Sequence, residues 1–392
     1  MAKEVMKTHD LEFSGRPSLL GLRKLSYNGL DVAFSPYNDY WREMRKICVL
    51  HLFNSKRAQS FRPIREDEVL EMIKKISQFA SASKLTNLSE ILISLTSTII
   101  CRVAFSKRYD DEGYERSRFQ KLVGEGQAVV GGFYFSDYFP LMGWVDKLTG
   151  MIALADKNFK EFDLFYQEII DEHLDPNRPE PEKEDITDVL LKLQKNRLFT
   201  IDLTFDHIKA VLMNIFLAGT DTSAATLVWA MTMLMKNPRT MTKAQEELRN
   251  LIGKKGFVDE DDLQKLPYLK AIVKETMRLH PASPLLVPRE TLEKCVIDGY
   301  EIPPKTLVFL GTSIDFKGQD YQLIPFGGGR RICPGLNLGA AMVELTLANL
   351  LYSFDWEMPA GMNKEDIDID VKPGITMHKK NALCLLARIP SH

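Results

Sequence analysis

The residues best suited to chemistry lie in a glycine-rich stretch, FGGGRRICPG at 326–335, directly before a predicted helix. The glycines around Cys333 allow backbone N–H groups to turn towards its sulfur, and Arg330 and Arg331 add positive charge. Such surroundings stabilise a thiolate, the form of cysteine that binds metals. The stretch therefore predicts a thiolate ligand.

Two less specific interpretations of this stretch are weaker. A glycine-rich turn at a helix N-terminus can bind phosphate, but no Gly-Lys-Ser or Gly-Lys-Thr follows, and Cys333 and Pro334 occupy the helix entrance. A lone cysteine is most often a buried structural residue, yet the glycines and arginines beside Cys333 fit that role poorly. One axial sulfur, with an arginine paired to a carboxylate of the cofactor, suits a haem.

Cysteine count, charge and length exclude other classes of protein. The five cysteines are far apart and contain no Cys-x-x-Cys pair, so they indicate neither a disulfide framework nor a thiolate zinc site. The seven histidines, including His280, show no metal-binding spacing and are treated as bystanders. With 51 Lys and Arg against 53 Asp and Glu, no nucleic-acid partner is expected. The 392 residues suffice for one large or two medium domains.

Helices must position these residues, because apolar side chains recur at helical spacing along most of the chain. The helix at 36–53 is predicted to have Ser35 as its N-cap and Pro36 as its first residue. The charged, proline-containing segment 175–185 indicates an exposed loop between helices. Further helices are predicted at 65–82, 88–104, 155–173, 186–195, 205–235, 239–251, 269–280 and 336–352. Short strands are predicted at 284–288, 294–302, 306–309 and 382–387.

The most apolar segment, 210–235, has Asp221 as its only charged residue. Its length would permit a membrane crossing. A carboxylate near the middle costs about 3 kcal/mol on insertion, so a buried central helix is predicted instead. The charged first ten residues indicate no signal peptide or membrane anchor.

The sequence closely resembles the cytochrome P450 family over almost its whole length. The family pattern Phe-x-x-Gly-x-Arg-x-Cys-x-Gly is matched by Phe326, Gly329, Arg331, Cys333 and Gly335. The resemblance implies the mainly α cytochrome P450 fold with small β-sheets, in a single domain. It also implies that haem b lies between the long central helix and the cysteine loop, with the cysteine as the axial iron ligand.

The resemblance also implies roles for residues outside the cysteine loop. Asp221 and Thr222, in AGTDTS, match the motif that delivers protons for oxygen activation, although alone they would indicate a helix kink with satisfied polar groups. Glu275 and Arg278 match a structural Glu-x-x-Arg pair, which alone would be a weak surface salt bridge. Residues matching positions that hold haem propionates are Trp41, Arg45 and Arg289.

The implied activity is monooxygenation of a small apolar substrate, with electrons from NADPH through a reductase, at the cytosolic face of the endoplasmic reticulum. The segments at 34–45 and 354–359 resemble plant microsomal members, especially the group that oxidises aldoximes in glucosinolate biosynthesis. By analogy, substrate contacts are expected in the loop before Pro36 and at 131–139, 214–219 and 282–287.

Two departures from the family qualify these expectations. The chain shows no N-terminal anchor, and Phe309 is followed by LGTSIDF where the family has a strand, a helix and a meander. A meander arginine normally joins Glu275 and Arg278, so an unmet buried charge costing about 3–5 kcal/mol is predicted. The alternatives are a truncated, inactive product of such a gene and a helical interaction protein without cofactor. A peroxide-using rearranging enzyme is disfavoured by Asp221 and Thr222.

Overall fold

The structure, a computed structural model, is mainly helical with short strands. It describes residues 1–109, 114–197, 199–311, 324–372 and 374–390, without the side chains of 114–120. The helices are α1 (Leu20–Leu25), α2 (Asp39–Ile47), α3 (Ser55–Ser60), α4 (Arg62–Ser81), α5 (Leu88–Phe105), α6 (Tyr114–Val130), α7 (Phe135–Tyr138), α8 (Gly143–Leu148), α9 (Met151–Leu174), α10 (Ile186–Asn196), α11 (Phe205–Lys236), α12 (Pro238–Ile252), α13 (Pro267–Leu279) and α14 (Leu336–Ser353). The strands are β1 (Thr86–Asn87), β2 (Arg289–Glu290), β3 (Cys295–Ile297), β4 (Tyr300–Ile302), β5 (Leu307–Val308), β6 (Asp355–Glu357), β7 (Val371–Lys372), β8 (His378–Lys379) and β9 (Cys384–Arg388).

The long predicted helices are confirmed, but the helix predicted at 36–53 begins later. Helix α2 starts at Asp39, and its N-cap is Asn38, whose side chain accepts a hydrogen bond from the Trp41 N–H at 2.8 Å. Ser35 therefore does not cap the helix. Its carbonyl instead accepts a hydrogen bond from Arg331 at 2.8 Å.

The prediction of a strand at 284–288 is wrong. Leu286 has a φ of +54°, which interrupts an extended chain, and pairing starts only at β2, antiparallel to β5. The segment predicted as one strand at 294–302 forms the β3–β4 hairpin. Asp298 and Gly299 at its turn both have positive φ, as a two-residue hairpin turn requires.

The described chain divides into two compact units. The first comprises Met1–Asn54, Ile100–Ala218 and Ser283–Pro334, and the second comprises Ser55–Ile99, Gly219–Ala282 and Gly335–His392. Residues 175–185 are not a boundary between them, because this mostly exposed loop joins α9 to α10 inside the first unit.

Each unit has its own packing centre. In the first, α9 packs against α1, α6 and α8 around a cluster of aromatic rings. The rings of this cluster belong to Phe105, Phe162, Phe165, Tyr166 and Phe216. In the second, α14 packs against α4, α12 and α13, while β1, β9 and β6 form an antiparallel sheet. Burial on nearly every side explains why most residues of α14 are apolar.

Two helices, α5 and α11, are long and apolar enough to cross a membrane by length and hydropathy alone. In the structure their most apolar windows are 67% and 78% buried. That degree of burial is typical of core helices, as predicted for α11.

The ion pair between Arg65 and Glu260 provides a test of packing in the second unit. Arg65 is 1% exposed and Glu260 9%, and the guanidinium donates to both carboxylate oxygens. We expect Glu260→Gln to lower the free energy of unfolding by about 3 kcal/mol, because it leaves a buried charge uncompensated. The matched change Glu71→Gln, at the exposed pair with Lys74, is expected to cost less than about 1 kcal/mol. Equal losses in urea denaturation would contradict this account.

Candidate functional site

The cysteine loop is a tight turn closed by its own backbone. The Cys333 N–H donates to the Phe326 carbonyl at 2.9 Å, and the Gly327 N–H donates to the Ile324 carbonyl at 2.9 Å. Gly327 and Gly329 have φ values of +69° and +67°, a region that L-residues rarely adopt. The backbone thus requires glycine at positions 327 and 329, and Cys333 is left half-buried at the end of the loop.

An N-terminal residue that the sequence did not single out, Asp10, braces this loop. Its buried carboxylate accepts hydrogen bonds from the backbone N–H of Arg330 at 3.0 Å and from its Nη1 at 2.7 Å. A Cβ on Gly329 would lie only 2.2 Å from Asp10 Oδ1 and 2.5 Å from the Met6 carbonyl oxygen. Arg330 is therefore occupied by Asp10, and its side chain is 46% exposed.

Arg331 is the buried arginine of the motif. Its guanidinium donates to the carbonyls of Ser14 at 2.9 Å and Ser35 at 2.8 Å, and it lies 4.3 Å from the ring centre of Trp41. In the structure the single N–H of Trp41 donates to the Val32 carbonyl at 2.9 Å, and its ring lies against the Arg331 guanidinium. A propionate contact of Trp41 stays a prediction.

Three further guanidinium groups belong to the same unit. Arg45 donates to the carbonyl of Ile332, next to Cys333. Arg289 is 3% exposed and donates to the Gly328 carbonyl at 3.1 Å. Arg16, which sequence reasoning missed, donates to backbone carbonyls of Ala33, Val287 and Pro288.

Four arginines lie in this part of the first unit, namely Arg331, Arg45, Arg289 and Arg16, and they carry more positive charge than the carboxylates that pair with them can balance. Burial and the proximity of Arg289 lower the pKa of Arg331 to about 9, and burial also lowers the pKa values of Arg16, Arg45 and Arg289. Among the described residues, no carboxylate lies within ion-pairing distance of Arg331 or Arg16. We call these four residues the guanidinium cluster. It suits a ligand with two negative charges.

Asp221 and Thr222 lie on α11 in the second unit. The Asp221 side chain is 4% exposed, and its Oδ1 lies 2.7 Å from Nε2 of His378. Within the described chain, the buried Oδ2 has no hydrogen-bond partner. The expectation that the histidines are bystanders considered only metal-binding spacing and did not foresee this contact of His378. No sequence signal could have found it, because 157 residues separate the pair.

Another histidine, His173, lies in a group with the geometry of a metal site, but an arginine is paired with the carboxylates of that group. Its side chain and those of Asp185 and Asp188 place ligand atoms within 4.8 Å of one another. Arg178 pairs with Asp188, and Asp185 caps α10. Since Arg178 lies within ion-pairing distance of both carboxylates, this group is a structural ion-pair network.

The structure pairs Glu275 with Arg278 through two hydrogen bonds, of 2.7 and 2.6 Å. Glu275 is nevertheless 44% exposed, so water solvates its carboxylate. The expected cost of an unmet buried charge at this pair is therefore wrong. The segment after Phe309 that motivated it falls mainly at 312–323, outside the described residues.

Two of the expected substrate-contacting segments contain a residue whose surroundings the structure defines. Asn214 accepts hydrogen bonds from the N–H groups of Val32 and Ala33, and its amide donates to Asp31. Both ends of the Asn214 side chain are thus occupied by protein. In the segment 131–139, Phe133 is 55% exposed.

Comparisons with known proteins identify the family. A profile described as Cytochrome P450 matches residues 1–314 and 309–386. The 6,7,8-trihydroxycoumarin synthase of Pastinaca sativa is 51% identical over 414 residues, covering 98% of this chain and 81% of that protein. The chain belongs to the cytochrome P450 family.

Other relatives of this P450 agree. The 5-OH-xanthotoxin synthase of Ammi majus is 50% identical and covers 98% of this chain and 81% of its own. A solved zebra fish cytochrome P450 structure with abiraterone matches at a TM-score of 0.82 and 22% identity, covering 100% of this chain and 92% of that one. The predicted fold class is confirmed. The chain is thus a P450 monooxygenase of plant secondary metabolism.

P450 enzymes use a haem whose iron is bound by a cysteine thiolate, with electrons from a reductase. The first unit of this P450 fits that cofactor. Haem carries two propionates, and two members of the guanidinium cluster, Arg331 and Arg16, have no carboxylate within ion-pairing distance in the described part of the chain. The half-buried Cys333 adjoins this cluster through Arg331 and Arg45.

The two positive-φ glycines of the cysteine loop give a matched test. We expect Gly329→Ala to displace Asp10 and reduce haem content strongly, because its Cβ would overlap the Asp10 carboxylate. Gly327→Ala has no atom within 4 Å of its Cβ and carries only backbone strain, about 1–2 kcal/mol. Haem content per chain and the urea midpoint measure the difference. Equal effects of the two substitutions would contradict the contact with Asp10.

Proposed function

We propose that this P450 hydroxylates a coumarin or furanocoumarin ring. The proposal is carried by the 51% identity with a trihydroxycoumarin synthase over 98% of the chain. A second relative, at 50% identity, is named for a hydroxylated xanthotoxin. Both names describe oxygenated aromatic lactones. The aldoxime substrate expected from the sequence finds no support among these relatives.

In this proposal, Cys333 is the axial ligand and the guanidinium cluster binds the propionates. Bound haem supplies the activation of dioxygen. The chain's own task is to orient the substrate, exclude water and supply protons. Asp221, next to Thr222 in sequence, transfers protons through its carboxylate, and the lack of a described partner on its Oδ2 supports this role.

We also infer that the chain is one haem-binding domain, 1–392, lacking an internal family segment after Phe309. The alignment to the trihydroxycoumarin synthase spans 414 residues, more than the 392 of this chain. The family profile matches in two parts that overlap at 309–314. The alignment length supports family residues without a counterpart in this chain, and the overlap of the two profile matches supports their location after Phe309. Reductase docking at the endoplasmic reticulum belongs to the same proposal.

Whether the chain is an active enzyme or an inactive product is decided by its reduced carbon monoxide difference spectrum. We expect the red-shifted Soret band of a thiolate-ligated haem. Cys333→Ala is expected to abolish that band, because it removes the thiolate to which the proposal assigns the iron. The matched change Cys384→Ala, at a half-buried cysteine of β9, is expected to preserve it. An unshifted band in the unsubstituted chain would indicate the inactive product, and no Soret band would indicate a protein without cofactor.

Substrate class is tested by incubating the chain with reductase, NADPH and either xanthotoxin or phenylacetaldoxime. We expect xanthotoxin to gain one oxygen atom, measured by mass spectrometry, and the aldoxime to remain unchanged. Cys333→Ala is the control for turnover that does not depend on the haem ligand. Oxidation of the aldoxime alone would contradict the proposal and restore the expectation from sequence.

A further inference from the structure

The strongest unassigned feature is the contact between His378 and Asp221. Nε2 of His378 lies 2.7 Å from Oδ1 of Asp221, which is hydrogen-bonding distance. The Asp221 side chain is 4% exposed and that of His378 is 30% exposed. A buried carboxylate with a partner on only one oxygen is costly, so this single contact has a large effect on where the carboxylate points.

The backbone that carries His378 is fixed from two sides. The Met377 carbonyl accepts a hydrogen bond from the indole N–H of Trp229 at 2.8 Å, and the Met377 N–H donates to the Ala282 carbonyl at 2.8 Å. Trp229 follows Asp221 on α11 by eight residues, a little over two turns, so both side chains lie on similar sides of the helix. Helix α11 thus makes two contacts with this segment. Trp229 binds the carbonyl of Met377, and Asp221 binds the side chain of His378.

The position of Trp229 is secured in turn. Its ring stacks on His280, with 4.3 Å between ring centres and 4° between planes, and it is fully buried. The next charged residue after His378, Lys379, does not compete for Asp221. Its Nζ donates to Asp368 at 2.6 Å and to the Asn381 carbonyl at 3.0 Å. His378 is therefore the side chain that this strand offers to Asp221.

We propose that His378 is a positioning residue for Asp221. By hydrogen bonding to Oδ1, it fixes the carboxylate so that Oδ2 stays free to exchange a proton during turnover. The imidazole acts through Asp221 and does not itself meet the substrate oxygen. The inference rests on the proposed function for its catalytic consequence, whereas the contact itself is a property of the second unit alone.

The catalytic test compares His378→Gln with His378→Leu. Glutamine can place an amide N–H where Nε2 lies, whereas leucine cannot donate a hydrogen bond. With xanthotoxin as probe, we expect His378→Leu to lower product formed per NADPH about 10-fold, with the lost electrons recovered as hydrogen peroxide and KM little changed. His378→Gln is expected to restore most of the product ratio.

A matched control is His173→Gln, which alters a histidine–aspartate pair of similar length, 2.9 Å, in the first unit. Its product-to-NADPH ratio is expected to equal that of the unsubstituted chain. A normal ratio in His378→Leu would overturn the proposal. A His378→Gln ratio as low as that of His378→Leu would overturn positioning by hydrogen bond.

A second measurement needs no turnover. Urea midpoints of His378→Leu, Asp221→Leu and the double variant form a cycle, and a true pair gives a double loss smaller than the sum of the single losses. Additive losses would overturn the proposal. If the unsubstituted chain lacked the thiolate Soret band, the proposed function would fail, while this cycle would still decide whether His378 holds Asp221.

Discussion

Uncompensated positive charge beside the cysteine loop is the constraint on which the first unit depends. Burying a guanidinium without a counter-charge is costly, and hydrogen bonds to backbone carbonyls offset only part of that cost. The lowered pKa values of Arg16, Arg289 and Arg331 express the same strain in electrostatic form. A bound dianion would relieve it, so cofactor binding and stability are linked in this chain.

The second unit poses the opposite problem, since it buries a carboxylate on an apolar helix. Among the residues that the structure describes, the Asp221 side chain has one hydrogen-bonding partner, His378, and its Oδ2 has none. If both oxygens of Asp221 had hydrogen-bond partners, the carboxylate would serve only the structure. If neither oxygen had one, the orientation of the carboxylate would be undefined. One contact fixes the group, and the proposed function assigns the other oxygen to proton exchange.

Sequence patterns predicted the features that depend on neighbouring residues, namely the long helices and the cysteine loop. Helical periodicity located α4, α9, α11 and α14 to within a few residues, because each helix buries an apolar face or, like α14, most of its surface. The glycine-rich motif located the cysteine loop, where positive φ angles require glycine. The strand predicted at 284–288 failed because the left-handed Leu286 interrupts the extended chain.

Contacts between distant residues could not be predicted from these patterns. Asp10 lies 320 residues from Arg330 in sequence, and only the fold brings them together. The same holds for Arg16 with Val287 and for His378 with Asp221. The sequence motif also does not reveal that the single N–H of Trp41 donates to the Val32 carbonyl.

The central claim is that the guanidinium cluster is built for the two carboxylates of a haem. It is tested most directly by titrating haem-free chain with haem and with haem dimethyl ester, which keeps the iron and ring but loses both negative charges. The account predicts that the ester binds at least about 100-fold more weakly, since charge-assisted hydrogen bonds from buried arginines would be lost. Equal affinity for the two compounds would contradict it.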